Sequence, residues 1–125
     1  MARILVVEDD KPLQEVYVET LRGEGHEVDT ADDGEVALAK MKQGGWDLVL
    51  LDIILPKING LDIMAQIRNQ PPVNLNKAVV FLTNLDRSEE IEKGLKLANG
   101  YLIKSQVTPG DLVREIAAYL SPDSV

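Results

Sequence analysis

The 125-residue sequence has no cysteine, one histidine, one tryptophan and one phenylalanine, and only 4% of its residues are aromatic. Without cysteine there is no disulfide, no thiolate nucleophile and no Cys-based zinc or iron–sulfur site. With His26 alone, imidazole chemistry is limited as well. No apolar run approaches the roughly 18 residues of a membrane span, and MARILVVEDD turns acidic after seven residues, so the sequence signals neither secretion nor insertion. Positive charge is also scarce. Thirteen Lys and Arg against 21 Asp and Glu leave a net charge of −8, which repels phosphate backbones and argues against direct nucleic-acid binding. These features point to a cytoplasmic chain.

The sequence does contain the makings of one ordinary globular domain. The chain is shorter than a typical domain of roughly 150 residues, and 45% hydrophobic and 27% charged residues suit a packed core. A single domain over residues 1–125 is expected, with SPDSV at 121–125 as a loose tail. Four short apolar runs, Arg3 to Val7, Leu48 to Leu51, Ala78 to Leu82 and Tyr101 to Ile103, read as buried parallel strands. HEVDTA, from His26 to Ala31, reads as a weaker edge strand. Between them, apolar residues recur at helical spacing: Leu13, Val16, Tyr17 and Leu21; Ala37, Leu38 and Met41; Leu61, Met64 and Ala65; Ile91 and Leu95; Leu112, Val113, Ile116, Ala117 and Leu120. Thr108, Pro109 and Asp111 read as a capping box opening the last helix. Strict strand–helix alternation predicts an α/β doubly wound parallel sheet, whose ligands bind beyond the carboxyl ends of the strands.

Chemistry is therefore sought at the strand ends. The first strand runs into Glu8, Asp9 and Asp10, the third into Asp52, the fourth into Thr83 and the fifth into Lys104. Taken singly, an Asp at such a point is commonly a helix cap, a strand-end Thr reflects β-propensity, and a Lys is solvated. Matched residue types at the ends of four strands are harder to attribute to loop composition. Should the first and third strands be neighbours, Glu8, Asp9 and Asp52 converge and repel one another, and a hard cation such as Mg²⁺ relieves the repulsion. Mg²⁺ normally arrives with a phosphate partner, which the hydroxyl of Thr83 and the ammonium of Lys104 suit. Asp10 is assigned to capping the first helix, and His26 to the surface.

ILVVEDD, LVLLDIILPKING, VVFLTN and GYLIKS together resemble the CheY-like receiver domain of bacterial two-component response regulators, in the right order and over essentially the whole chain. The resemblance implies a flavodoxin-like five-stranded parallel sheet of order 2-1-3-4-5 with five helices. It further implies that Asp52 is the phosphoacceptor and that Glu8, Asp9, Asp52 and the backbone carbonyl of Ile54 hold Mg²⁺. Lys104 would pair with the phosphoryl group, Thr83 would be the switch hydroxyl, and Tyr101 the aromatic that changes rotamer. The implied function is a phosphorelay switch. A sensor histidine kinase, a phosphotransfer protein or a small phosphodonor loads it, and it regulates a downstream protein target or a detached effector domain. The face of the last two helices and last strand could also mediate a homodimer.

Ile54 and Leu85, two residues beyond Asp52 and Thr83, are apolar and cannot orient water, so slow autodephosphorylation is expected. In LPKING, Pro56 and Gly60 are expected to bend the loop and set up the third helix, with Gly60 free to take conformations other residues avoid. Three departures from the family pattern stand out. Ser105 follows the lysine where the family usually has proline, the Thr83–Lys104 interval is one residue shorter, and the Asp52–Thr83 interval is one longer, which places an insertion near PPVNLNK. They lend a little weight to the alternative of a pseudo-receiver, an interaction module that works unphosphorylated, against which the acidic pair, Asp52, Thr83 and Lys104 are all present. Other rivals fare worse. A flavin-mononucleotide binder would not place Glu8, Asp9 and Asp10 at its phosphate loop, and an aspartate-nucleophile phosphatase commonly has a second Asp where Ile54 stands.

Overall fold

Four short apolar runs and one alternating segment become strands, and the longer periodic stretches between them become helices. In a computed structural model that describes residues 1–84 and 89–120, β1 (Arg3–Val7), β2 (Glu27–Ala31), β3 (Leu48–Asp52), β4 (Val79–Thr83) and β5 (Gly100–Ile103) alternate with α1 (Lys11–Gly23), α2 (Gly34–Gln43), α3 (Gly60–Asn69), α4 (Glu89–Leu95) and α5 (Pro109–Leu120). Leu85 and the tail at 121–125 lie outside the described residues. All strand pairs are parallel, in the order β2-β1-β3-β4-β5, so the fold is the expected doubly wound, flavodoxin-like one and β2 is an edge.

Alternation along each strand splits the core into two layers. Leu5, Val7, Val49, Leu51 and Phe81 pack with the buried faces of α2 and α3 and with Ile91 of α4. Ile4, Val6, Leu48, Leu50, Val80 and Leu82 pack beneath α1 and α5. Because β1 and β3 are buried on both faces, their sequences read as continuous apolar runs rather than alternating ones.

Three helix faces differ from the expected ones. In α1 the buried residues are Gln14, Tyr17, Val18 and Leu21, while Val16 is exposed. In α3 Ile63, Met64 and Ile67 are buried and Ala65 is exposed. In α5 Leu112 and Ile116 are buried and Ala117 faces solvent. A helix buries a stripe, and an apolar residue one position off that stripe points outward whatever its hydropathy. His26 is also not a free surface residue. It is half-buried, and its Nδ1 accepts the backbone N–H of Ala2.

Caps agree with the sequence. Asp10 accepts the Leu13 N–H at 3.2 Å as the N-cap of α1. The Thr108 hydroxyl accepts the Asp111 N–H while the Asp111 carboxylate accepts the Thr108 N–H, completing the capping box of α5.

Candidate functional site

Parallel strands end on the same edge, so residues that finish β1, β3, β4 and β5 meet although up to 96 positions separate them. Glu8 continues the β1 ladder by donating its N–H to Ala31 O. Asp52 and Thr83 are the last residues of β3 and β4, both buried. Lys104 follows β5 and is held by its N–H to Thr83 O at 2.8 Å. The Lys104 Nζ lies 2.8 and 3.1 Å from the two Glu8 carboxylate oxygens and 2.7 Å from Asp52 Oδ2. One ammonium thus bridges two buried carboxylates.

Carboxylate oxygens of Glu8, Asp9 and Asp52 all lie within 4.8 Å of one another, with Asp9 exposed and the other two buried. Burial and the hydrogen bond shared with Asp52 push the Glu8 pKa up to about 8, against the opposing pull of Lys104. Lys104 is held above its ordinary value. Burial works against its charge, and the hydrogen bonds to Asp52 and Glu8 outweigh that. One cation therefore does not relieve three converging carboxylates, and the donor set is all hard oxygen, which fits Mg²⁺.

The loop after Asp52 closes the site. Gly60 donates its N–H to Ile53 O, and a side chain on Gly60 would start 2.4 Å from Asp52 O, so close approach excludes any larger residue. The positive φ of this loop, 72°, belongs to Lys57 and not to Gly60, and the Lys57 ammonium stands 3.5 Å from Asp33 and 3.7 Å from Glu35. The Ile54 N–H reaches Asp52 Oδ1 at 3.3 Å, and the Ile54 side chain is 66% exposed at the rim, where Asn84 and Ser105 also lie. Tyr101 is half exposed on β5. The site residues expected from sequence, Glu8, Asp9, Asp52, Ile54 and Lys104, line one open cleft of about 460 Å³, and Thr83 is bonded to Lys104 through its backbone.

One further residue, overlooked in the sequence, supports the site. Gln14 is buried under it, with Nε2 donating to Glu8 O and Asp32 Oδ1 at 2.8 Å each, which fixes the backbone at the end of β1. A polar residue on an otherwise apolar helix stripe was the available signal. Tyr17 is buried nearby, and its hydroxyl has no hydrogen-bond partner among the described residues; burial and the Glu8 charge push its pKa up to about 12.

The family model described as the response regulator receiver domain matches residues 4–117. The transcriptional regulatory protein DltR of Streptococcus agalactiae serotype III (strain NEM316) is 39% identical over 103 residues, covering 82% of this chain and 45% of its own length. The DNA-binding response regulator MtrA of Mycolicibacterium paratuberculosis is 36% identical over 118 residues, covering 94% of this chain and 51% of its own. The chain thus spans about half the length of the curated relatives it matches. Among solved structures, the response regulator TrrA of Thermotoga maritima, in complex with Mg²⁺ and BeF, is 34% identical at a TM-score of 0.79, covering 97% of this chain and 100% of its own. The chemotaxis response regulator CheY4 of Vibrio cholerae is 30% identical at a TM-score of 0.83, covering 96% and 99%.

Proposed function

This chain belongs to the response regulator receiver domain family, and from that premise we propose that residues 1–125 form a single receiver whose Asp52 accepts a phosphoryl group and thereby switches its surface. The observation that carries the reading is the clustering of Asp52 with Glu8, Asp9 and Lys104 at the carboxyl edge of the sheet. The Asp52 carboxylate attacks phosphorus of a phosphohistidine on a sensor kinase or phosphotransfer protein, or of a small acyl phosphate. A new O–P bond forms as the donor's N–P or O–P bond breaks, and imidazole or carboxylate leaves with the electron pair. Glu8, Asp9, Asp52 and the Ile54 carbonyl would hold Mg²⁺, which neutralises the carboxylates and the incoming phosphoryl. Lys104 gives up its bridge and pairs with phosphoryl oxygens. Thr83 supplies the switch hydroxyl, and Tyr101 carries the change to the α4–β5–α5 surface, which binds a downstream target or a second copy.

Ile54 at the rim, and Leu85 by the family pattern, bring no group that could orient water, so the acyl phosphate should persist. Among the described residues no helix is long and apolar enough to cross a membrane; we place the domain in the cytoplasm with its kinase. Direct nucleic-acid binding is not assigned to residues 1–125, whose net charge is −8. DNA binding is named for MtrA as a whole protein, of which this chain matches about half.

Intact mass after incubation with acetyl phosphate and Mg²⁺, run beside Asp52→Asn, tests the proposal. A gain of one phosphoryl group in the parent alone is expected. No gain in either protein would overturn it in favour of a module that works unphosphorylated.

A further inference from the structure

The insertion at PPVNLNK lies at the opposite end of the sheet from Asp52, and the phosphotransfer reading leaves it without a role. The segment is held in place at Asn74, Asn76 and Lys77. Gly45 N–H donates to Asn74 O at 2.9 Å, the Asn76 side chain donates to Met41 O at 3.1 Å, and Lys77 N–H donates to Trp46 O at 2.9 Å. Gly44 and Gly45 take left-handed φ values of 71° and 82°, and a side chain on Gly44 would collide with Asn74 O, so the diglycine is what lets the segment lie down.

The fastening at Asn74 is through its backbone carbonyl and at Asn76 through a half-buried side chain, while Val73 and Leu75 on either side of Asn74 stay outside. Val73 is fully exposed and Leu75 is 64% exposed. Two apolar side chains anchored in solvent at this spacing are unlike a stray surface leucine, because the backbone beneath them is pinned. Beside them runs a cleft of about 370 Å³ with an apolar floor of Met64, Ile67 and Leu97, and with Arg68 and Lys77 among its lining residues.

The charged residues that line this cleft, Arg68 and Lys77, are both cationic, opposite in sign to the molecule as a whole. Arg68 spends Nε and Nη2 on Leu97 O, which leaves Nη1 without a partner among the described residues. Lys77 Nζ is 3.0 Å from Asp47 Oδ1, and with the lysine side chain 76% exposed the pair holds it weakly. An apolar pair rimmed by cations fits an acidic segment with apolar anchors. A nucleic acid would find nothing for Val73 and Leu75 to stack on, and it would be repelled by the net charge of −8.

We propose that Val73 and Leu75, with Arg68 and Lys77, form a second docking surface for an acidic peptide segment of a partner protein, at the end of the domain away from Asp52. The probe is a short fluorescent peptide with two central leucines flanked by glutamates, titrated into the protein by fluorescence anisotropy and mapped by amide chemical shifts. Saturable binding that weakens with salt is expected, with shifts confined to residues 64–77 and 97–99. Val73→Asp with Leu75→Asp should weaken it at least about tenfold, and Lys77→Glu should weaken it several-fold, while Asp52→Asn should leave it unchanged. Because shift mapping uses the unaltered protein, a misfolded variant cannot rescue or sink the idea by itself. Absence of binding, equal binding of a peptide with lysines in place of the glutamates, or shifts centred on Lys57 and Lys104 would each overturn it. So would concentration-dependent self-association, or adsorption to anionic vesicles, that the Val73 and Leu75 changes abolish while the peptide goes unbound.

Discussion

Glu8 is fully buried beside Asp52, and one lysine serves both. A carboxyl group with a native pKa of about 8 and an ordinary value of 4.5 holds a proton in the folded chain that the unfolded chain releases. Stability without divalent cation should therefore be greatest below about pH 4.5 as far as Glu8 is concerned, and fall as pH rises to about 8. Glu8→Gln should flatten that slope, as read by urea denaturation over a pH series in chelator. A divalent cation must displace the same proton, so apparent Mg²⁺ affinity should climb towards pH 8 with proton release measurable in weakly buffered solution. A flat affinity profile would argue that Glu8 is already ionised. At this scale the acids and the lysine were legible from their places at strand ends. Their pairing was not. The sequence reading gave Lys104 to the phosphoryl group, and only the folded chain shows that the ammonium first bridges Glu8 and Asp52. Gln14 escaped for a related reason, since its partners are a backbone carbonyl and Asp32, 18 residues away.

Elements follow local rules wherever the local signal is chemical rather than periodic. The Thr108 and Asp111 box and the Asp10 cap stand where the sequence placed them, because a cap satisfies backbone groups within three residues of itself. Thr108→Ala should cost about 1 kcal/mol in thermal or urea unfolding, and Thr108→Ser should recover most of it. Equal stability of the alanine variant would mean that Pro109 and the packing of Leu112 suffice to start α5. Helix faces were less legible. Val16, Ala65 and Ala117 are apolar and point outward, because which stripe of a helix is buried depends on how it crosses the sheet. Likewise, nothing in the sequence of residues 71–77 indicated that the segment would be fastened at Asn74, Asn76 and Lys77 and Val73 and Leu75 left exposed.

Across the whole molecule, Glu8, Asp9 and Asp52 cluster at the carboxyl edge of the sheet, and α1, α2, α3 and α4 each carry a basic residue in the last turn. Those four helices gain from this through their own dipoles. Cation binding at the acidic end couples to folding as a whole. If Mg²⁺ binds only the native state, a hundredfold excess over Kd should raise stability by about 2.7 kcal/mol, and Asp9→Ala, a change at an exposed residue, should abolish most of that rise. Differential scanning calorimetry with and without Mg²⁺ checks this, and an undiminished rise in the variant would place the cation elsewhere. The sequence by itself determined the order of five strands and five helices and the acidic, hydroxyl and ammonium groups at the strand ends, because periodicity and capping act within a few residues. Tertiary structure alone decided that Glu8 and Lys104, 96 positions apart, come within 2.8 Å. It also decided that Asp52 completes their ion pair and that Val73 and Leu75 stand anchored in solvent at the far end. Those outcomes depend on sheet order and register, which are set by packing across the whole core and leave no local trace in the chain.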